Sequence, residues 1–276
     1  MEIEFNRTTK KIIKRLIKRF VVIGIITYLY WPITVVYAIT GLYDVLRQKN
    51  SKKWLVFLHY FMENGLLAWV FSPINTAIDI LCLPYINKQV YQLEDLPKLH
   101  QEEIKTLLNE TPRLEISNAM NELKSSDERT MMFYKWYGYN VETNYDCELF
   151  HRKFKRILTI GVSSFKANAK TGAHFGWLRA GVRVLINIDD AVDEMAYIEV
   201  NDQKHVWKRD GRLFIFDDTV IHQSFNLTNQ SRNCLFIDVT RPSLFPFLIN
   251  GFIKTLGFAS IKIPGFNRLS NWKVVK

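Results

Sequence analysis

The sequence predicts an α+β fold in which a jelly roll or sandwich of short antiparallel strands follows a long helical region. Three observations predict it. After Lys153 the chain breaks into compact β-rich runs separated by turn residues. Residues 87–125 carry helix-start signals. Residues 1–86 hold two long, weakly charged apolar stretches.

Taken in order, "NRTTKKIIKRLIKRF" (residues 6–20) reads as a basic amphipathic helix. Phe20 to Tyr43 follows, 24 residues without a formal charge and long enough to span a bilayer. The run is too long for a signal-peptide core, and no small-residue cleavage site follows it. Pro32 near its middle can kink it or fold it into a re-entrant hairpin. Trp54 to Ile86 is apolar again, interrupted by Glu63, Asp79, Pro73 and Pro84. This pattern predicts that residues 1–86 anchor the chain to a membrane through an integral or re-entrant segment, with the remainder on the cytoplasmic side. Residues 87–153 form a helical lead-in: Pro97 and nearby acidic residues open one helix, and residues 114–125 form another. "MMFYKWYGY" near its end is core or the wall of a substrate pocket.

Residues 154–244 are the predicted jelly roll. Its strands are "RILTIGVSSF", "GVRVLINI", "EMAYIEV", "GRLFIFDD", "VIHQSFN" and "RNCLFIDVT", with turns at Asp189-Asp190, Asn201-Asp202 and Asp210-Gly211. Residues 245–276 form an apolar tail with basic residues, which either covers the barrel or packs beside the membrane.

The formal net charge is +10, and much of the excess lies in the first 53 residues. Basic clusters flanking apolar segments match an anionic lipid surface. No nucleic-acid-binding motif accompanies the charge, which argues against a DNA or RNA partner. Cys82, Cys147 and Cys234 are far apart and lack metal-type spacing, and this odd, sparse count argues against a disulfide-built secreted domain.

Of the six histidines, only His174 and His222 lie on or beside predicted strands among small residues. Two histidines 48 residues apart, on different strands of a jelly roll, can meet inside its mouth. Ten residues after His222, Arg232 opens the apolar strand "NCLFIDV". No Ser/His/Asp or Cys/His arrangement for nucleophilic catalysis accompanies them.

Residues 155–242 resemble the aspartyl/asparaginyl β-hydroxylase family of iron(II)- and 2-oxoglutarate-dependent oxygenases, closest in organisation to the membrane-bound lipid A hydroxylases. "AHFGWLRAGVRVLI", "HVWKRDGRLFIFDDTVIHQSFN" and "SRNCLFIDVTRP" carry the resemblance, with Trp207, Gly211, the Phe216-Asp217-Asp218 step, His222, Arg232 and Asp238 to Pro242 in the family's order. The resemblance implies Fe(II) held by His174 and His222, and 2-oxoglutarate whose distal carboxylate is gripped by Arg232. Ser163 and Arg183 align with further cosubstrate-binding positions. Two departures stand out. Gly176 occupies the place where most such oxygenases carry the carboxylate of a facial triad, a vacancy shared with two-histidine members and with halide-using oxygenases. Leu185 replaces the histidine of the family's "Arg-x-His" step. Asp217 and Asp218 read as turn-shaping residues.

The resemblance therefore implies hydroxylation of a C–H bond. An anchored catalytic domain points to a lipid acyl chain as substrate; a polypeptide Asp or Asn is the alternative. Gly176 and Leu185 together also fit a degenerate oxygenase kept as a scaffold at the membrane.

Overall fold

The computed structural model describes residues 30–262 apart from 124–126, 144 and 192, together with residues 17, 18, 21 and 24. Most of the basic helix expected over residues 6–20 and most of the run from Phe20 to residue 29 lie outside the described residues. The helical region comprises α1 (Trp31–Leu46), α2 (Lys53–Met62), α3 (Leu66–Val70) and α4 (Ser72–Leu81). Strand β1 (Val90–Tyr91) and the helices α5 (Lys98–Glu110) and α6 (Arg113–Glu122) follow. Next come β2 (Arg129–Trp136), β3 (Tyr139–Asn140) and the short α7 (Glu148–His151). The β-region holds β4 (Ile157–Phe165), β5 (Ala169–Lys170), β6 (Gly181–Asn187), β7 (Ala196–Val200) and β8 (Gln203–Val206). After α8 (Trp207–Asp210) it continues with β9 (Leu213–Phe216), β10 (His222–Asn226) and β11 (Arg232–Thr240), and helix α9 (Pro246–Lys262) ends the described chain.

The strands form two antiparallel sheets, ordered β1-β9-β6-β11-β4-β2-β3 and β5-β10-β7-β8. From β4 to β11 the chain passes repeatedly between them, which makes the core a jelly roll and the whole an α+β fold. Leu185, Phe214, Phe216 and Cys234 of the large sheet meet Ala196, Ile198 and Val200 of the small one. The opposite face of the large sheet is covered by Ile104 and Leu107 of α5 and Ile116 and Met120 of α6. Burial on both faces explains why β4, β6 and β11 read as almost continuous apolar runs rather than alternating ones.

All six predicted strands are present. The aromatic stretch at residues 131–139 supplies most of β2, which extends the large sheet beside β4 and buries Met131 to Tyr134. Helix α9 covers the sheet: Ile249, Ile253, Gly257 and Ser260 share one buried face, where Ile249 and Ile253 pack with Tyr137 and Leu158. A side chain at Gly257 would collide with Tyr137, so the close approach requires glycine.

The membrane-crossing expectation is corrected. Among the described residues, no helix is long and apolar enough to cross a membrane. Helix α1 has 16 residues, about 24 Å at 1.5 Å per residue, short of the ~30 Å hydrocarbon core. Pro32 sits at its start rather than kinking its middle, and its last turn buries Asp44 against the barrel. Trp54 to Ile86 is divided among three helices of 10, 5 and 10 residues. With neither a spanning nor a re-entrant segment described, the cytoplasmic placement of the β-domain loses its basis.

Apolar packing of Val45, Val56 and Ala68 on Phe175 and of Ile78 on Leu178 joins the helices to the barrel, and buried charge adds to it. Arg179, 1 % exposed, donates to Asp44 of α1 and Asp79 of α4, and Arg241 also donates to Asp79. Tyr60 of α2 donates to Asp44 at 2.8 Å. Buried carboxylates need such partners.

Candidate metal and cosubstrate site

His174 precedes β6 and His222 opens β10, yet their backbones pair directly. The His174 amide donates to the His222 carbonyl at 3.1 Å and the reverse bond is 3.0 Å. This two-residue ladder sets the imidazole centroids 4.2 Å apart. Each Nδ1 lies against a backbone carbonyl two residues earlier: His174 against Gly172 at 2.8 Å, His222 against Val220 at 2.9 Å. A carbonyl can only accept, so each Nδ1 carries the proton and each Nε2 keeps its lone pair. That is how metal-binding histidines are ordinarily oriented. Burial holds both imidazoles below the usual histidine pKa, and the adjacent His174 ring adds to the effect on His222. Neutral, Nδ1-anchored imidazoles fit a divalent metal with nitrogen preference, Fe(II) included.

Among the described residues, no cluster of three or more His, Cys, Asp or Glu side chains has metal-ligand geometry. The vacancy at Gly176 is nevertheless filled in space. A Cβ built there would overlap the carboxyl of Asp218, whose backbone carbonyl accepts from the Gly176 amide at 2.6 Å. Burial first, then Asp238 and Asp217, pushes the Asp218 pKa up to about 7 against the opposing pull of Arg183. Asp218 was expected only to shape its turn, and the nearest sequence signal for it is the absence of a carboxylate at position 176. Gly176→Asp should therefore lower the melting temperature, because two carboxyl groups would compete for one space at a cost of about 1–3 kcal/mol. Gly176→Asp combined with Asp218→Ala should recover most of the loss, which thermal melts of the four chains would measure.

The cosubstrate candidates lie on the inner face of the large sheet. Cross-strand register pairs Ser163 with Cys234, Phe165 with Arg232, Leu185 with Phe236 and Phe214, and Arg183 with Asp238 and Phe216. Partners in register project to the same face, and period-two spacing keeps Arg232, Cys234 and Phe236 together. Arg232 is 5 % exposed and lies over the rings of Phe165 and Trp207, with centroid distances of 4.9 and 5.4 Å. Its Nε and Nη1 have no hydrogen-bond partner among the described residues. Burial pushes its pKa down, only partly opposed by Cys234. A buried guanidinium in that state demands an anion.

The other two candidates are differently engaged. Ser163 Oγ donates to the Cys234 carbonyl at 3.3 Å. Arg183 donates to Asp238 at 2.6 Å and Asp218 at 2.7 Å, and stacks 3.7 Å over the Phe236 ring. Leu185 packs into the apolar layer with Trp207, Phe214 and Phe216, so the histidine it replaces finds no polar counterpart there. A run of rings, His222–Phe216–Phe214–His205–Trp207, extends from the imidazole pair to Arg232.

A model of the Aspartyl/Asparaginyl beta-hydroxylase family matches residues 98–242, just over half of the chain. No curated protein matches. Among solved structures, a conserved Streptococcus pyogenes protein of unknown function overlaps 43% of this chain and 79% of its own, at 13% identity and a TM-score of 0.27. The Schizosaccharomyces pombe Cnp3 cupin domain overlaps 44% and 71%, at 12% and 0.29. A salicylate 1,2-dioxygenase mutant from Pseudoaminobacter salicylatoxidans overlaps 53% and 35%, at 14% and 0.29. These overlaps are too slight to add to the strand topology described above.

Proposed function

The chain belongs to the aspartyl/asparaginyl β-hydroxylase family, and from that premise we propose that it hydroxylates an unactivated C–H bond with Fe(II) and 2-oxoglutarate. The observation that carries the reading is the pairing of two Nδ1-anchored imidazoles with an unsatisfied buried guanidinium along one inter-sheet layer. His174 and His222 would hold the iron through Nε2, and Arg232 would bind the far carboxylate of the cosubstrate. Iron with 2-oxoglutarate supplies the oxidising power; the protein supplies position and dryness. Phe214, Phe216 and Trp207 exclude water along the layer, which strengthens the bond Arg232 makes to an anion. Ser163, beside Cys234 in the same layer, can turn its hydroxyl to the same carboxylate. Arg183, held between Asp218 and Asp238, would carry charge balance close to the imidazoles rather than meet the cosubstrate directly.

For substrate, we favour an apolar chain such as a lipid acyl group. Asn64, in the turn between α2 and α3, donates to the Ala173 carbonyl next to His174 at 3.0 Å. The helices on either side of that turn expose Trp54, Phe57, Leu58, Leu66 and Val70, an apolar rim beside the metal loop. The family's description favours a polypeptide Asp or Asn as the second reading.

The purified chain, given Fe(II) and 2-oxoglutarate, should release succinate, and His222→Ala should reduce that release at least a hundredfold. Succinate at the His222→Ala level in the unaltered chain would refute the enzyme and leave a scaffold. Mass spectrometry of a lipid extract and of a peptide library after reaction separates the substrates: one added oxygen on acyl chains supports the first reading, on Asp or Asn the second.

A further inference from the structure

The turn leading into His222 is held by the helical region. It reads Asp217-Asp218-Thr219-Val220-Ile221. The Asp217 amide donates to the Gln89 carbonyl at 2.8 Å. The Asp217 carboxylate accepts from Arg47 at 3.0 Å and from Asn87 at 2.5 Å. Arg47 also donates to the Thr219 hydroxyl, and the Ile221 amide donates to the Gln48 side-chain oxygen at 2.9 Å. The Gln89 side chain donates back to the Arg47 carbonyl, closing the clamp. Asp217 and Gln48 are each 1 % exposed, so water does not offer substitute partners.

Asp218 and Val220 serve the site. The Asp218 carboxyl fills the space above Gly176 and meets Arg183. The Val220 carbonyl is the acceptor that fixes the His222 ring. Asp217, Thr219 and Ile221 are thus tied to the segment 47–89, while Val220 fixes the His222 ring and Asp218 meets Gly176 and Arg183.

We propose that Arg47 and Gln48, just past the end of α1, are positioning residues that hold the 217–221 turn and through it set the Nε2 geometry of His222. The inference rests on the two-histidine metal reading. It makes the N-terminal helices a working part of the site: Arg47 spans 217 and 219 with its planar fork, which lysine cannot do with a single ammonium, and Gln48 supplies the one acceptor the Ile221 amide has.

The test uses the full chain, with Arg47→Gln, Arg47→Lys, Gln48→Met and His222→Ala. Hydrogen–deuterium exchange is read over 217–222 and over β4 and β11, and Mn(II) affinity is measured by electron paramagnetic resonance. Arg47→Gln and Gln48→Met should speed exchange over 217–222 at least tenfold and leave β4 and β11 unchanged. Mn(II) affinity should fall about ten- to a hundredfold, and Arg47→Lys should recover part of both effects. Gln48→Met removes a single acceptor and keeps the side-chain length, so it serves if Arg47→Gln does not fold. Unchanged exchange over 217–222, exchange that rises equally in β4 and β11, or wild-type Mn(II) affinity despite a loosened turn would each overturn the proposal. If the unaltered chain binds Mn(II) no better than His222→Ala, the metal reading falls instead. The exchange result then decides by itself whether the turn is clamped.

Discussion

Arg232→Met should make the protein more heat-stable and at the same time unable to bind 2-oxoglutarate. The two effects have one cause. Arg232 is 5 % exposed, with two guanidinium nitrogens lacking partners, so the folded chain carries the cost of a desolvated cation. Methionine has nearly the same reach, packs against Phe165 and Trp207 and removes that cost. A gain of about 1–3 kcal/mol is expected, read as a rise of roughly 2–4 °C in melting temperature per kcal/mol. The lost charge-assisted bond should weaken 2-oxoglutarate binding by about two to three orders of magnitude, in line with the 2–5 kcal/mol typical of a buried charged pair. Calorimetric titration with 2-oxoglutarate and a thermal melt give both numbers. A lower melting temperature would mean that Arg232 is already satisfied in the free protein, and the anion argument would fail.

The second large effect is structural. Arg179→Met should lower the melting temperature by about 10 °C, because it removes the guanidinium that bridges Asp44 and Asp79 and leaves Asp44 with Tyr60 and the more distant Arg47, and Asp79 with Arg241 and Tyr43. Breaking one member of such a network typically costs about 3–5 kcal/mol. The helices α1 and α4 should loosen first, visible as early proteolytic nicking between residues 30 and 86. The same network makes the fold sensitive to acid. Burial alone would raise the Asp217 pKa, but Arg47 and Arg179 overcome it and hold that carboxyl well below the usual range. Its contribution is complete above the unfolded aspartate pKa of about 4. It is lost progressively as the pH falls below that value toward the depressed folded pKa. Denaturant melts between pH 6 and pH 3 should show this loss, and Asp217→Asn should flatten it.

How far the sequence carried the reading depended on the kind of signal. The six strands named after residue 154 were legible because β-branched and aromatic runs end at Asp, Asn and Gly turns; the eight-residue β2 was not, since its aromatic run lay in a stretch read as a helical lead-in and was taken only for core or pocket wall. The pairs β5 and β1, two residues each, were not, since two residues carry no period. Strand β8 was hidden because its start, "QKH", is polar. His174, His222 and Arg232 were legible as residue types in an ordered pattern. Asp218 was not, because the space above Gly176 is created by two chain segments more than 40 residues apart.

The apolar helices were misread for a related reason. Hydropathy averaged along the chain treats Asp44 as the end of one membrane-like stretch and Asp79 as an interruption of the next, and it takes no account of Arg179 and Arg241, which lie 100 or more residues away and neutralise them.

By itself the sequence determined the run of antiparallel strands that makes the jelly-roll core, because strand pattern is a local property of residue type and spacing; it was the resemblance, not the spacing, that singled out His174, His222 and Arg232. Only the tertiary structure decided that the N-terminal helices lie against the barrel, that Asp218 occupies the space left by Gly176, and that Arg232 is buried with Nε and Nη1 unpartnered among the described residues. Each of those depends on which groups meet across the fold, and packing, burial and Coulomb attraction act between neighbours in space however far apart they stand in the chain.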